Sequence, residues 1–165
     1  MNGSRSLRPS TPADTPLLLS LTRSTGVFRD DEIDALDDVL TDYHRESADC
    51  GHLCCTLLLD DAVAGFGYLA PVAMTDRTWE LWWLAVAPAH QGQGAGQWLL
   101  DRLESLVVQQ RGRVLFIETS SLPHYAATRQ FYLKRGYTEV AILPDYYQPG
   151  DDKVVYRKLL GQGLS

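Results

Sequence analysis

The chain has 165 residues, 45% hydrophobic and 22% charged, with a formal net charge of −6. That length fits a single domain over residues 1–165, and so acidic a balance argues against nucleic acid as a partner, because such partners select a basic face. No apolar run approaches the ~20 residues of a membrane span, the N-terminus lacks a secretory-type apolar core, and Cys50, Cys54 and Cys55 make no disulfide framework, so a cytoplasmic protein without membrane attachment is expected.

A short first strand is predicted over Ser6–Pro9. Thr11-Pro12-Ala13-Asp14 reads as a helix start, with Thr as N-cap and Pro at the first helical position, and the helix should reach Ser24. A second helix is predicted from Asp31 to Arg45, with Ile33, Leu36, Leu40 and Tyr43 on one face. Strands over His52–Leu59 and Val63–Val72 flank an Asp60-Asp61 turn, and Trp79–Ala87 is a further apolar strand. A helix from Gly94 to Gln110 should bury Leu99, Leu103 and Leu106. Then follow a strand, Val114–Thr119, and a helix, Pro123–Lys134, ended by Gly136. Strands over Tyr137–Leu143 and Lys153–Leu159 close the chain around a Pro149-Gly150 turn. The class is α/β (α+β) on a central mixed sheet.

Charge is uneven. Residues 30–49 hold nine acids against one Arg, Arg45, so this segment is −8 and the remainder +2. Asp30, Asp31 and Glu32 suit a helix N-terminus. The other acids form a solvated face or a groove for a cationic molecule.

The stretch Val86–Leu103 contains three glycines in five residues, Gly92, Gly94 and Gly96, directly ahead of an amphipathic helix. Glycine lets backbone approach an anion, and the free N–H groups of a helix start point at it, so the loop reads as a phosphate site. A dinucleotide fingerprint fails because Gln97 occupies the third glycine position, although Glu118 lies where a ribose-binding acid would. A Walker loop fails because no Gly-Lys-Ser/Thr follows.

Gln91-x-x-Gly94-x-Gly96 resembles the Q/R-x-x-G-x-G/A signature of the GNAT superfamily of acyl-CoA-dependent N-acetyltransferases. The preceding Trp-Trp-Leu-Ala-Val-Ala-Pro is similar to that family's fourth strand, and Thr128–Tyr137 resembles its second landmark, carried by Phe131-Tyr132 four residues before Gly136. The resemblance implies the GNAT fold: a mixed, mostly antiparallel sheet of about seven strands flanked by about four helices. It implies acetyl-CoA as cofactor, with the pyrophosphate on Gln91, Gly92, Gln93, Gly94, Ala95 and Gly96. The pantetheine arm would pair with Leu84, Ala85 and Val86. Tyr125 replaces the family's usual Asn and Thr128 its usual Ala beside the cofactor, which puts one cofactor hydrogen bond in question.

Transfer to an amine needs a free amine and a proton for the leaving thiolate. Freeing a lysine-type amine at pH 7 costs about 4.6 kcal/mol and an α-amine about 1.4 kcal/mol. The resemblance assigns Tyr132 as the acid. Glu80, the only carboxylate on its strand, is the candidate base, with Trp79, Trp82 and Trp83 expected to raise its pKa; a water chain is the alternative. Tyr146 and Tyr147 lie in the last hairpin, which often flanks the family's acceptor site. The partner is an amine acceptor, and the family often forms homodimers through the sheet or C-terminal strands. A non-catalytic acyl-CoA-binding module and a NAD-dependent oxidoreductase are the competing readings. No metal is expected: Cys54 and Cys55 are adjacent on a strand and face opposite sides.

Overall fold

The computed structural model describes residues 3–161. Seven strands form one mixed sheet in the order β1-β2-β3-β4-β5-β7-β6: β1 Arg5–Pro9, β2 Leu53–Leu59, β3 Ala62–Pro71, β4 Thr78–Val86, β5 Val114–Ser120, β6 Thr138–Gln148 and β7 Asp151–Leu159. Four α-helices accompany them: α1 Thr15–Ser24, α2 Asp30–Asp42, α3 Ala95–Gln109 and α4 Ala126–Lys134. The chain divides into two compact units, and β4 and α3 contribute residues to both.

The first unit runs through Ala70 and adds Trp83–Leu103. Strand β1 pairs antiparallel with β2, from Arg5↔Leu59 to Pro9↔Cys55, and β2 pairs antiparallel with β3 across the Asp60-Asp61 turn. Both turn residues have positive φ, 48° and 66°, as a two-residue hairpin with the right twist requires. The core joins Leu18 and Leu21 of α1, Leu36 and Leu40 of α2, and Cys54, Phe66 and Tyr68 of the strands. On α3 the buried side chains in this unit are Ala95, Leu99, Leu100 and Leu103; Leu106, further along, is only half-buried, which corrects the expected face. A Cβ at Gly67 would collide with the Leu103 side chain, so glycine lets this helix lie close on β3.

The helix predicted to reach Arg45 stops at Asp42. Residues Tyr43–Ser47 widen into a π turn, with Ala48 N–H donating to Tyr43 O at 3.1 Å. Tyr43 nonetheless stays buried, edge-on to Tyr68 at 5.7 Å. The first helix opens in a 3₁₀ turn, Pro12–Asp14, before α1 begins.

The second unit comprises Pro71–Trp82 and the described residues from Glu104 on. Here β4 runs parallel to β5, from Thr78↔Val114 to Leu81↔Ile117, and β5 runs antiparallel to β7 over seven pairs, Val114↔Leu159 to Ser120↔Lys153. Strand β6 extends five residues beyond the predicted end at Leu143. Pro144 is tolerated because β6 is an edge strand, and the register shifts between Leu143 and Gln148. The unit's core gathers Trp79, Leu81, Leu115, Ile117, Tyr132, Tyr137 and Tyr156.

Candidate active site

In the first unit, β4 ends at Val86 and a 3₁₀ turn over Pro88–His90 leads into the glycine loop. Gln91 Nε2 donates to Val86 O at 3.0 Å, tying the loop back to the strand it leaves. Gly92 and Gly94 have φ of 75° and 76°. Nothing lies within 4 Å of a Cβ placed at Gly92, so its glycine is needed for backbone conformation and not for room inside the protein. Trp98 N–H donates to Gly94 O at 3.0 Å, which makes Gly94 the last residue before the helix. The amides of the first turn of α3, at Ala95, Gly96 and Gln97, have no intrahelical acceptor, the arrangement of a cradle suited to an anion.

Leu84, Ala85 and Val86 lie just upstream. Ala87 N–H donates to Ala64 O at 2.8 Å, and a Cβ at Gly65 would stand 2.7 Å from Ala85 O. Gly65 therefore permits a close backbone approach that fixes the end of β4. Trp83 stacks at a tilt on Phe28, ring centroids 5.4 Å apart.

One residue of this region was not foreseen. Arg5 Nη2 donates to Gln93 O at 2.6 Å, across 88 positions of sequence, and its guanidinium stands near Gly94. No spacing could have flagged it, because β1 reaches the loop only through the fold. Arg5→Gln should release this tether and remove a positive charge beside the cradle. The expected result is a CoA dissociation constant raised about tenfold, the loss of one charge-assisted hydrogen bond, read by titration calorimetry. An unchanged constant would make Arg5 a surface residue.

In the second unit, Tyr132 sits on α4 at 6% exposure. Its ring lies 5.8 Å from that of Tyr137 and 6.0 Å from that of Tyr156. The seat is braced from below: Tyr137 Oη donates to Glu104 at 2.9 Å, and Lys158 Nζ donates to Glu104 at 2.7 Å and to Arg135 O at 2.9 Å. Burial pushes the Tyr132 phenol well above its ordinary value. It therefore keeps its proton at neutral pH. Arg129 Nη1 fixes the start of the helix by donating to Ser120 O and Leu122 O at 2.8 and 2.9 Å. Tyr125 is buried at the N-terminal end of α4, and Thr128 is half-buried on its first turn.

Glu80 differs from expectation in its surroundings. Trp79 is buried on the opposite face of β4, and Trp82, 45% exposed, donates its indole N–H to Glu80 Oε2 at 3.0 Å. The carboxylate is half-buried and hydrogen-bonded, with no apolar enclosure by those two tryptophans. Glu118 is engaged by Lys153 Nζ at 2.7 Å, and the Lys153 ammonium lies 3.7 Å from the centroid of the Tyr146 ring. Tyr146 and Tyr147 are 54% and 41% exposed, with rings edge to face at 5.1 Å. Burial raises the thiols of Cys54 and Cys55 to about 12 and about 11, so neither is a nucleophile at neutral pH. Among the described residues no group of His, Cys, Asp and Glu is arranged to hold a metal.

Comparison with known proteins places this geometry. The family model for the GNAT acetyltransferases matches residues 19–137. A solved protein of Desulfovibrio desulfuricans, assigned as a GNAT acetyltransferase, is 34% identical, with a TM-score of 0.90 over 96% of this chain and 100% of its own. A Salmonella typhimurium protein assigned as an acetyltransferase, solved with acetyl-CoA, is 21% identical with a TM-score of 0.75 over 98% and 96% of the two chains. An aminoglycoside 6'-N-acetyltransferase solved with coenzyme A is 20% identical with a TM-score of 0.73 over 93% and 96%. No curated protein sequence matches the chain. The family match covers both the glycine loop and Tyr132, and the chain belongs to the GNAT acetyltransferase family.

Proposed function

We propose that the protein transfers the acetyl group of acetyl-CoA to a primary amine by direct attack, as one GNAT domain acting in the cytoplasm. The observation that carries the reading is the loop: two positive-φ glycines set the first-turn amides of α3 free to hold a pyrophosphate. Gln91, Gly92, Gln93, Gly94, Ala95 and Gly96 bind that group, and Leu84–Val86 pair with the pantetheine arm as an added strand. Tyr125 and Thr128 flank the cofactor. Tyr132 donates the proton that the departing thiolate takes up. Glu80, or a water held by it, takes a proton from the acceptor's ammonium so that the free amine attacks the thioester carbonyl; its bond from Trp82 orients the carboxylate.

The test is thermal unfolding with acetyl-CoA, CoA and NAD in parallel, followed by thiol release over a panel of amines. A ligand at 100 times its Kd adds about 2.7 kcal/mol of stability. A shift with both CoA compounds and not NAD, together with thiol release, is the expected result. A CoA shift with no release from any amine would leave an acyl-CoA-binding module, and no CoA shift would remove the assignment of the loop.

The acidic segment supports a cationic acceptor, such as a polyamine, an aminoglycoside or a basic peptide terminus. Asp31 is already paired with Arg29 at 3.0 Å, and Glu32 caps the Arg29 N–H at 2.7 Å, so they hold the helix start. Asp30 and Asp34 are exposed. Asp30→Asn with Asp34→Asn should raise KM for cationic acceptors and leave KM for acetyl-CoA unaltered. Equal turnover of every cationic acceptor would eliminate the idea.

A homodimer through β6 fits the same reading. Every residue of this edge strand is exposed, including Val140, Ile142 and Leu143, and an open apolar edge is a pairing surface. Sedimentation should give twice the 18.4 kDa chain mass, reverting to one chain on Ile142→Lys. A monomer in the unmodified protein would refute it.

A further inference from the structure

The second unit holds a groove of about 510 Å³ whose lining includes Arg77, Arg111 and Arg113 with Val108, Leu159 and Leu160. None of its functions follows from acetyl transfer: the residues proposed above for cofactor and proton transfer do not line it. Its volume is that of a small-molecule site. The charges of its lining are all of one sign, in a chain whose net charge is −6.

The frame of this groove is fixed by backbone. Arg113 N–H donates to Arg77 O at 2.8 Å, Leu160 N–H to Arg113 O at 2.9 Å, and Gly112 N–H to Val107 O at 2.7 Å. One neighbouring carboxylate partly balances the arginines. Asp76 accepts from Arg77 Nε at 2.9 Å and stands 3.5 Å from Arg113 Nε, while Arg113 Nε also donates to Asp76 O at 3.0 Å. Arg77 Nη1 reaches Arg111 O at 3.5 Å. Arg111 itself makes no side-chain hydrogen bond or ion pair among the described residues. Three guanidiniums against one carboxylate leave two positive charges, with Val108, Leu159 and Leu160 as an apolar floor.

Arg111 also occupies a backbone position that favours glycine. Its φ is 62°, just after the end of α3, where the left-handed residue of a helix stop usually lacks a side chain. Gly112, next in sequence, is excluded from carrying a Cβ by Val107 and Trp79. A long cationic side chain thus stands at a left-handed position where the backbone favours glycine.

We propose that this groove binds an organic dianion, a phosphate monoester or dicarboxylate with a short apolar body. Arg111 and Arg113 grip the charged groups, and Val108, Leu159 and Leu160 receive the body. A guanidinium offers paired N–H donors that match both phosphate and carboxylate oxygens.

The test is titration calorimetry of the full chain with phenyl phosphate and with phthalate, at constant ionic strength and with CoA saturating so that the glycine loop is filled. Saturable binding of either probe at millimolar or lower concentration is expected, and the preferred probe separates phosphate from carboxylate. Arg111→Gly relieves the left-handed strain, so this variant should unfold no more easily than the unmodified protein while its probe affinity falls at least about tenfold. Arg113→Gln should weaken binding likewise. No saturable binding of either probe, or binding unaltered by both substitutions, would overturn the proposal and leave three solvated arginines.

Discussion

Tyr132→Phe is expected to lower kcat by about 10²–10⁴-fold, the usual worth of a positioned general acid. Removing one hydroxyl leaves the ring, and the ring does the packing: it lies among Phe131, Tyr137 and Tyr156. Stability and the CoA dissociation constant should therefore alter little, and the loss should fall on kcat and kcat/KM together. The pH dependence follows from the sign of the shift. Burial raises the Tyr132 pKa, so the phenol keeps its proton from neutral pH to beyond the ordinary tyrosine value. The rate should then climb as the amine loses its proton, levelling near pH 8 for an α-amine and near pH 10.4 for a lysine-type amine. No alkaline fall should come from Tyr132, and the Phe variant should trace the same curve at lower height. A kcat within threefold of the unmodified enzyme would show that water or another group protonates the thiolate.

The elements with a strong period were legible. Ile33, Leu36, Leu40 and Tyr43 share one face of the sequence and all four are buried. The glycine loop was legible because positive φ demands a residue type that can be read directly. What depends on distant partners was not. The wide turn at Tyr43–Ser47 has no punctuating Gly or Pro, so the helical period ran on to Arg45. Strand β6 runs five residues past Leu143, through a Pro144 whose missing N–H costs an edge strand no ladder bond, and edge position is set by the sheet and not by local sequence. Sequence places Trp79, Trp82 and Trp83 next to Glu80 but not how they surround its carboxylate: strand alternation sends Trp79 to the other face, and Trp82 meets Glu80 through its indole N–H. Arg5 beside the loop and the arginine groove both depend on segments far apart in sequence, which no local pattern records.

Asp14 carries the second large effect, and it concerns stability. Its carboxylate is buried, with the side chain 5% exposed. It accepts from Arg8 Nη1 at 2.6 Å and Nη2 at 2.9 Å, from Thr11 N–H at 2.8 Å and from Thr56 Oγ1 at 3.2 Å. Thr56 in turn lies 2.7 Å from Ser10 Oγ, so one anion joins the end of β1, the first helical turn and β2. Asp14→Ala strips the partners of a charged acceptor in a setting where water enters poorly, and should cost about 3 kcal/mol at pH 7. For a chain of this length that is about 6–12 °C in Tm. The hydrogen bonds from Arg8, more than Coulomb attraction, hold the Asp14 carboxyl well below the usual carboxylate range. The folded pKa is thus lower than the unfolded one. The stabilisation is complete above the unfolded value, near pH 4, and is lost as pH falls through the folded value. Urea unfolding of the unmodified protein and the variant at pH 7 and pH 3 should show the gap between the two stabilities narrowing at pH 3 without closing, since the folded value lies lower still. A gap that stays constant between the two would assign the loss to the shape of the aspartate side chain, and Asp14 would then matter for packing and not for its charge.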